Sequence, residues 1–122
     1  MIIGTGIDIV EIDRISKTIE SWNEHFINKV FTKNEIEYCS NKLNKIQHYA
    51  ARFAVKEAFY KALPKHFNIP FDWKIVEVCN ELDGNPSIKI LKHNSILDSY
   101  TYHVSISHSK KDAIAIIIIE KN

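Results

Sequence analysis

The run from Ala113 to Ile119 constrains this chain more than any other segment, because every residue in it is apolar. A strand with one wet face alternates apolar and polar side chains, whereas an unbroken apolar run must be covered on both faces. The run therefore reads as a central or interface strand, and it is far too short to span a bilayer. A second strand, Tyr102 to Ser107, precedes it across the polar turn Ser109-Lys110-Lys111-Asp112. Trp73 to Val78 reads as a strand, and the Asp83-Gly84 turn lets Ser87 to Ile90 pair back on it as a hairpin. Ile2 to Ile12 opens the chain as an Ile- and Val-rich strand. Gly4 and Gly6 inside it point to a bulge or a close backbone approach.

Helical patterns fill the space between. Arg14 to Trp22 reads as a short helix, and Thr32-Lys33-Asn34-Glu35 matches a capping box that starts another through about Cys39. After a polar loop, Ser40 to Lys45, the segment Ile46 to Leu63 is the clearest helix. Its stripe is Ile46, Tyr49, Ala50, Phe53 and Ala54, and Pro64 marks its stop. Helices cluster in the first half and strands in the second, which predicts an α+β fold rather than a wound parallel sheet.

With 16 basic against 15 acidic residues, the chain lacks the cationic excess of a nonspecific nucleic-acid binder. Cys39 and Cys79 form no CxxC pair, so neither zinc nor thioredoxin-type chemistry is expected. No basic stretch precedes an apolar core at the N-terminus, so no signal peptide is expected, nor any membrane attachment. The expectation is a cytoplasmic protein.

Four features strain a purely structural reading. Glu57 falls on the apolar stripe of the long helix, with Lys61 one turn further on the same face. A carboxylate in an apolar setting is costly unless it pairs or binds a metal. A simple Glu57–Lys61 ion pair at the helix end accounts for it equally well. Asp8 sits between Ile7 and Ile9 in a strand, where Asp is disfavoured, unless it ends the strand and caps a turn. Ser105-Ile106-Ser107-His108-Ser109, at a strand end, suits phosphate binding or an ordinary turn. Arg52 and Lys56, one turn apart, repel unless an anion lies between them or both are solvated. Two carboxylates with several cations suit a divalent metal bridging to phosphate oxygens.

Gly4-Thr5-Gly6-Ile7-Asp8-Ile9-Val10-Glu11-Ile12 resembles the opening signature of the holo-acyl-carrier-protein synthase family. Arg52-Phe53-Ala54-Val55-Lys56-Glu57-Ala58 with Lys61-Ala62 resembles its second signature, and Val104-Ser105-Ile106-Ser107-His108-Ser109 its third. Phe31-Thr32 with Glu35 resembles its Phe-Thr-x-x-Glu segment. The resemblance implies one phosphopantetheinyl transferase domain over residues 1–122, with an antiparallel sheet packed on a long helix. It also implies a homotrimer with active sites at subunit interfaces. The implied activity, in fatty acid biosynthesis, moves the 4′-phosphopantetheine group of coenzyme A to a serine of apo-acyl carrier protein, releasing adenosine 3′,5′-bisphosphate. By the same resemblance Asp8 and Glu57 are ligands of Mg2+ and, with Lys61, catalytic. Arg52, Lys61, Gly84, Pro86, His108 and Ser109 then bind coenzyme A, while Arg14 and Lys29 face the carrier. Where the family often has glycine, this chain reads Leu63-Pro64-Lys65-His66-Phe67-Asn68, so a stiffer loop is expected. The competing reading is a non-catalytic module that binds a nucleotide or an acidic protein. It explains the basic residues and the Ser-His turn but not the two carboxylates in apolar settings.

Overall fold

A computed structural model describes residues 1–91 and 95–122. Strand β1 (Ile2–Glu11) leads into α1 (Ile12–Val30), α2 (Lys33–Ser40) and the long helix α3 (Lys45–Ala62). The hairpin strands β2 (Val76–Asn80) and β3 (Pro86–Ile90) follow, then β4 (Tyr100–His108) and β5 (Asp112–Lys121). The fold is α+β. β5 lies between β1 and β4 in an antiparallel sheet, and β2 pairs with β3 in a separate hairpin. The apolar run of β5 is thus the central strand, with Ala113, Ala115, Ile117 and Ile119 buried against α3.

Residue alternation on β1 decides what faces the helix. Gly4, Gly6, Asp8 and Val10 stand opposite Ile119, Ile117, Ala115 and Ala113, on the inner face of the sheet. A Cβ on Gly4 would run into the Ala62 carbonyl oxygen, and one on Gly6 into that of Ala58. The glycines therefore serve close approach of backbone to backbone, and the partner is α3 rather than a ligand. Ala54, Ala58 and Ala62, fully or almost fully buried, form the matching row of small residues on the helix. This close seat sets Asp8, two residues after Gly6, against the same helix.

Several boundaries differ from the sequence pattern. The expected stop of α1 at Trp22 coincides with a break at Asn23, which has φ +49°, and a second helical segment continues to Val30. There Phe26, Ile27 and Val30 pack on the core. The capping box is present: Thr32 and Glu35 exchange side-chain and backbone hydrogen bonds at the start of α2. The strand expected from Trp73 starts only at Val76, because Ile75 N–H closes a turn on Asp72 and the Trp73 carbonyl is taken by Lys56. After Pro64 the chain makes a single 3₁₀ turn, and Asn68 takes the left-handed conformation (φ +51°). Asn tolerates that region better than most residues, so the loop turns without a glycine. Among the described residues no helix is long and apolar enough to cross a membrane.

Candidate functional site

Two groups of like composition flank consecutive residues of α3. The first surrounds Lys56, which is 0% exposed. Its ammonium lies 2.9 Å from Glu35 Oε1 and donates to the carbonyls of Trp73 (2.9 Å) and Val76 (2.8 Å). Glu35, 1% exposed, also accepts from the N–H groups of Thr32 and Val78. Buried Glu77 accepts from the Thr32 hydroxyl at 2.6 Å. Burial pulls the Lys56 pKa down, opposed by Glu35, but every donor of the ammonium has an acceptor. Lys56 is therefore a structural cation rather than a solvated one. Glu35, with both oxygens occupied in the core, is not placed to accept a substrate proton.

The second group lies at Glu57. Asp8, Arg14, Thr18, Phe26, Phe53, Glu57 and Trp73 help line a cleft of about 420 Å³ between β1, α1 and α3. Phe53 stacks on Trp73 with ring centroids 4.9 Å apart, forming its apolar wall. Lys61 does not pair with Glu57; its ammonium bonds Asp8 Oδ1 at 2.7 Å and the Ile7 carbonyl at 3.2 Å. The Asp8 side chain is only 10% exposed, and its Oδ2 is buried without a partner. Burial, and then the charge of Asp8, push the Glu57 carboxyl above the usual carboxylate range, while Lys61 and Arg14 pull it back. The hydrogen bond to Asp8 raises the Lys61 pKa.

An orphaned carboxylate oxygen beside a second, poorly solvated carboxylate is an electrostatic deficit that a hard cation would relieve. Among the described residues no cluster of three or more His, Cys, Asp and Glu side chains is poised for a metal. Two oxygen donors nonetheless fit magnesium, which binds through one or two carboxylates and completes its shell with water and substrate phosphate. Arg14 reaches this cleft. Lys29 is exposed on the last turn of α1 and does not line it.

A different cleft, of about 290 Å³, gathers Arg52, Gly84, Pro86 and His108 with Tyr38, Gln47, His48 and Asn80. Arg52, 3% exposed, lies over the Tyr38 ring at 4.2 Å and donates to Asn80 Oδ1 at 2.7 Å, while its Nε is buried without an acceptor. Asn80 in turn donates to the Gly84 carbonyl, tying the guanidinium to a turn whose φ of +88° suits glycine. Arg52 and Lys56 thus do not share an anion: each has its own partners. Ser109 is not brought into this cleft. Its hydroxyl accepts from the N–H groups of Lys111 and Asp112 and closes the β4–β5 turn. Sequence reading missed Tyr38 and His48, although His48 lies one helical turn before Arg52, on the same face.

Residues 4–117 match the 4′-phosphopantetheinyl transferase superfamily. A holo-[acyl-carrier-protein] synthase of Thermodesulfovibrio yellowstonii is 45% identical over 119 residues, covering 98% of this chain and 99% of that one. The crystal structure of the Bacillus anthracis holo-(acyl-carrier-protein) synthase in complex with CoA (3′,5′-ADP) superposes with a TM-score of 0.79 at 30% identity. That match covers 100% of this chain and 99% of the other. The Helicobacter pylori synthase in complex with coenzyme A superposes with a TM-score of 0.78 at 27% identity, covering 95% and 99%.

Proposed function

The chain belongs to the holo-[acyl-carrier-protein] synthases of the 4′-phosphopantetheinyl transferase superfamily, and we infer from that membership that it transfers 4′-phosphopantetheine from coenzyme A to a serine of apo-acyl carrier protein. The serine oxygen attacks the β-phosphorus of the pyrophosphate. The bond to the nucleotide phosphate breaks, and adenosine 3′,5′-bisphosphate leaves. Its place is fatty acid biosynthesis, in the cytoplasm.

The observation that carries the site assignment is the buried, unpartnered Oδ2 of Asp8, a residue that lines one cleft together with Glu57. Asp8 and Glu57 would hold Mg2+, which would supply charge neutralisation at the phosphoryl oxygens when bound. Lys61 is the mobile cation. Its side chain is 54% exposed, so it can exchange Asp8 for a phosphate oxygen at little desolvation cost. Glu35, occupied in the core, is not available to accept the serine proton, whereas Asp8 Oδ2 has no hydrogen-bond partner. Arg52, Gly84, Pro86 and His108 receive the nucleotide end of coenzyme A, supported by the free Nε of Arg52 and by their common cleft. Arg14, exposed at the mouth of the carboxylate cleft, meets the acidic carrier, with Lys29 further along α1.

A homotrimer fits the outer face of the sheet. Ile7 and Ile9, each 61% exposed, face outward beside Ile116 and Ile114. The carboxylate cleft and the nucleotide cleft share no lining residue, which is compatible with active sites at subunit interfaces that combine one of each from neighbouring copies. A light-scattering mass of three chains supports this, and a monomer mass contradicts it.

Activity is tested by incubating the protein with coenzyme A, magnesium and apo-acyl carrier protein. The carrier should gain ~340 Da, the order expected for one phosphodiester-linked arm. Binding of coenzyme A without that gain would favour the non-catalytic module.

A further inference from the structure

The nucleotide cleft carries a titratable group beyond the residues assigned to it above. Tyr38 lines it, and two basic side chains lie over that ring: Arg52 at 4.2 Å and Lys42 at 4.5 Å. His48 sits edge-on to the same ring, centroids 5.6 Å apart, and lines the cleft with Arg52 and His108. The charged groups acting on His48 come from three directions: Arg52 on its own helix, Lys42 after α2, and His108 at the end of β4. All are cationic or become so on protonation.

Resting on the assignment of this cleft to coenzyme A, we propose that His48 is a further binding residue, which takes up a proton when a phosphate of the nucleotide enters. The physics is a balance of charges. In the empty cleft, partial burial and then the charges of Arg52, Lys42 and, when it is protonated, His108 hold the imidazole below its ordinary range and so disfavour its charged form. A phosphate group cancels those charges and adds an acceptor, removing the reason for neutrality. The buried Nε of Arg52, which has no acceptor, is the independent sign that this cleft is built for an anion. By linkage, a group that protonates on binding strengthens binding at low pH, and that gain is lost as pH rises through its raised value in the complex.

Adenosine 3′,5′-bisphosphate is the probe. Histidine NMR titrations of the wild-type protein should show the His48 resonance titrating at higher pH with the probe than without it. Calorimetry at pH 6 and pH 8 gives the second readout. The ligand phosphate also titrates in this range and favours binding at high pH, but comparison with His48→Gln cancels that contribution. The wild type should gain at least about 5-fold more affinity on going from pH 8 to pH 6 than His48→Gln does. His48→Phe, which keeps a ring against Tyr38, should behave like His48→Gln, separating charge from packing. The proposal is overturned if the probe binds yet the His48 titration does not move, or if both variants keep the wild-type pH dependence. If the probe does not bind the wild type, while the carrier still gains its mass, the nucleotide assignment of this cleft fails and His48 falls with it. The transfer activity would then stand.

Discussion

Lys56 and Glu57 are consecutive on α3, and each belongs to a group of two carboxylates and a lysine. Around Lys56 the inventory is Glu35, Glu77 and the lysine, almost dry; around Glu57 it is Asp8, Glu57 and Lys61, open to a cleft. In the first, the ammonium has three acceptors and Glu35 is satisfied by backbone N–H groups. In the second, Glu57 is not paired with Lys61, and one oxygen of Asp8 is buried with no partner. The difference teaches that composition does not separate a structural ion cluster from a reactive one. Completeness does: a satisfied cluster fixes the fold, and an incomplete one leaves an oxygen for a ligand to satisfy.

The comparison can be broken at either group. Lys56→Met should have the largest effect, on stability. It strands Glu35 and two carbonyls in the core, and breaking a buried pair by removing one partner costs about 3–5 kcal/mol. Chemical denaturation measures it, and a loss near zero would mean the cluster is not the clamp described. Glu57→Gln should do the reverse. Transfer should fall at least about 100-fold, beyond what losing an outer partner of a metal site typically costs, while the protein stays folded. Because the Glu57 carboxyl lies above its unfolded range, its contribution favours the fold at low pH and is lost as pH rises through that raised value. The neutral Gln should therefore leave the melting temperature at pH 7.5 unchanged or higher. A variant that loses activity only by unfolding contradicts this.

Gly6→Ala sharpens the contrast, since its Cβ meets the Ala58 carbonyl next to Glu57 and not the Lys56 cluster. Overpacking of this kind costs about 1–3 kcal/mol. Turnover measured under fully folded conditions should also drop, because Asp8 shifts against α3. Unchanged turnover would show that the seat of β1 does not govern the cleft. The smallest effect is expected at the rim. Arg14→Glu should raise KM for the carrier more than KM for coenzyme A, and the carrier dependence should weaken with salt. Equal changes in both would place Arg14 elsewhere in the cycle.

Much of this arrangement was legible where a local rule was strained or obeyed. The all-apolar β5 announced a central strand, Thr32 and Glu35 a helix start, Asp83-Gly84 a hairpin. Asp8 in a strand and Glu57 on an apolar stripe marked the cleft because each breaks the pattern around it. What stayed hidden depends on contacts distant in sequence. Lys56 reads as a surface cation until β2 and the Trp73 segment deliver two carbonyls to it. The glycines signalled a close approach but not its partner, which is the backbone of α3. Asn23 gives no local warning that a second helical segment follows it.

The most direct test counts divalent ions. Manganese binding, followed by the electron paramagnetic signal of the free ion in the presence of coenzyme A, reads the cleft without requiring turnover. The account predicts a saturable site in the wild-type protein that is lost in both Asp8→Asn and Glu57→Gln, with the double variant no worse than either. Undiminished binding in either single variant would contradict it.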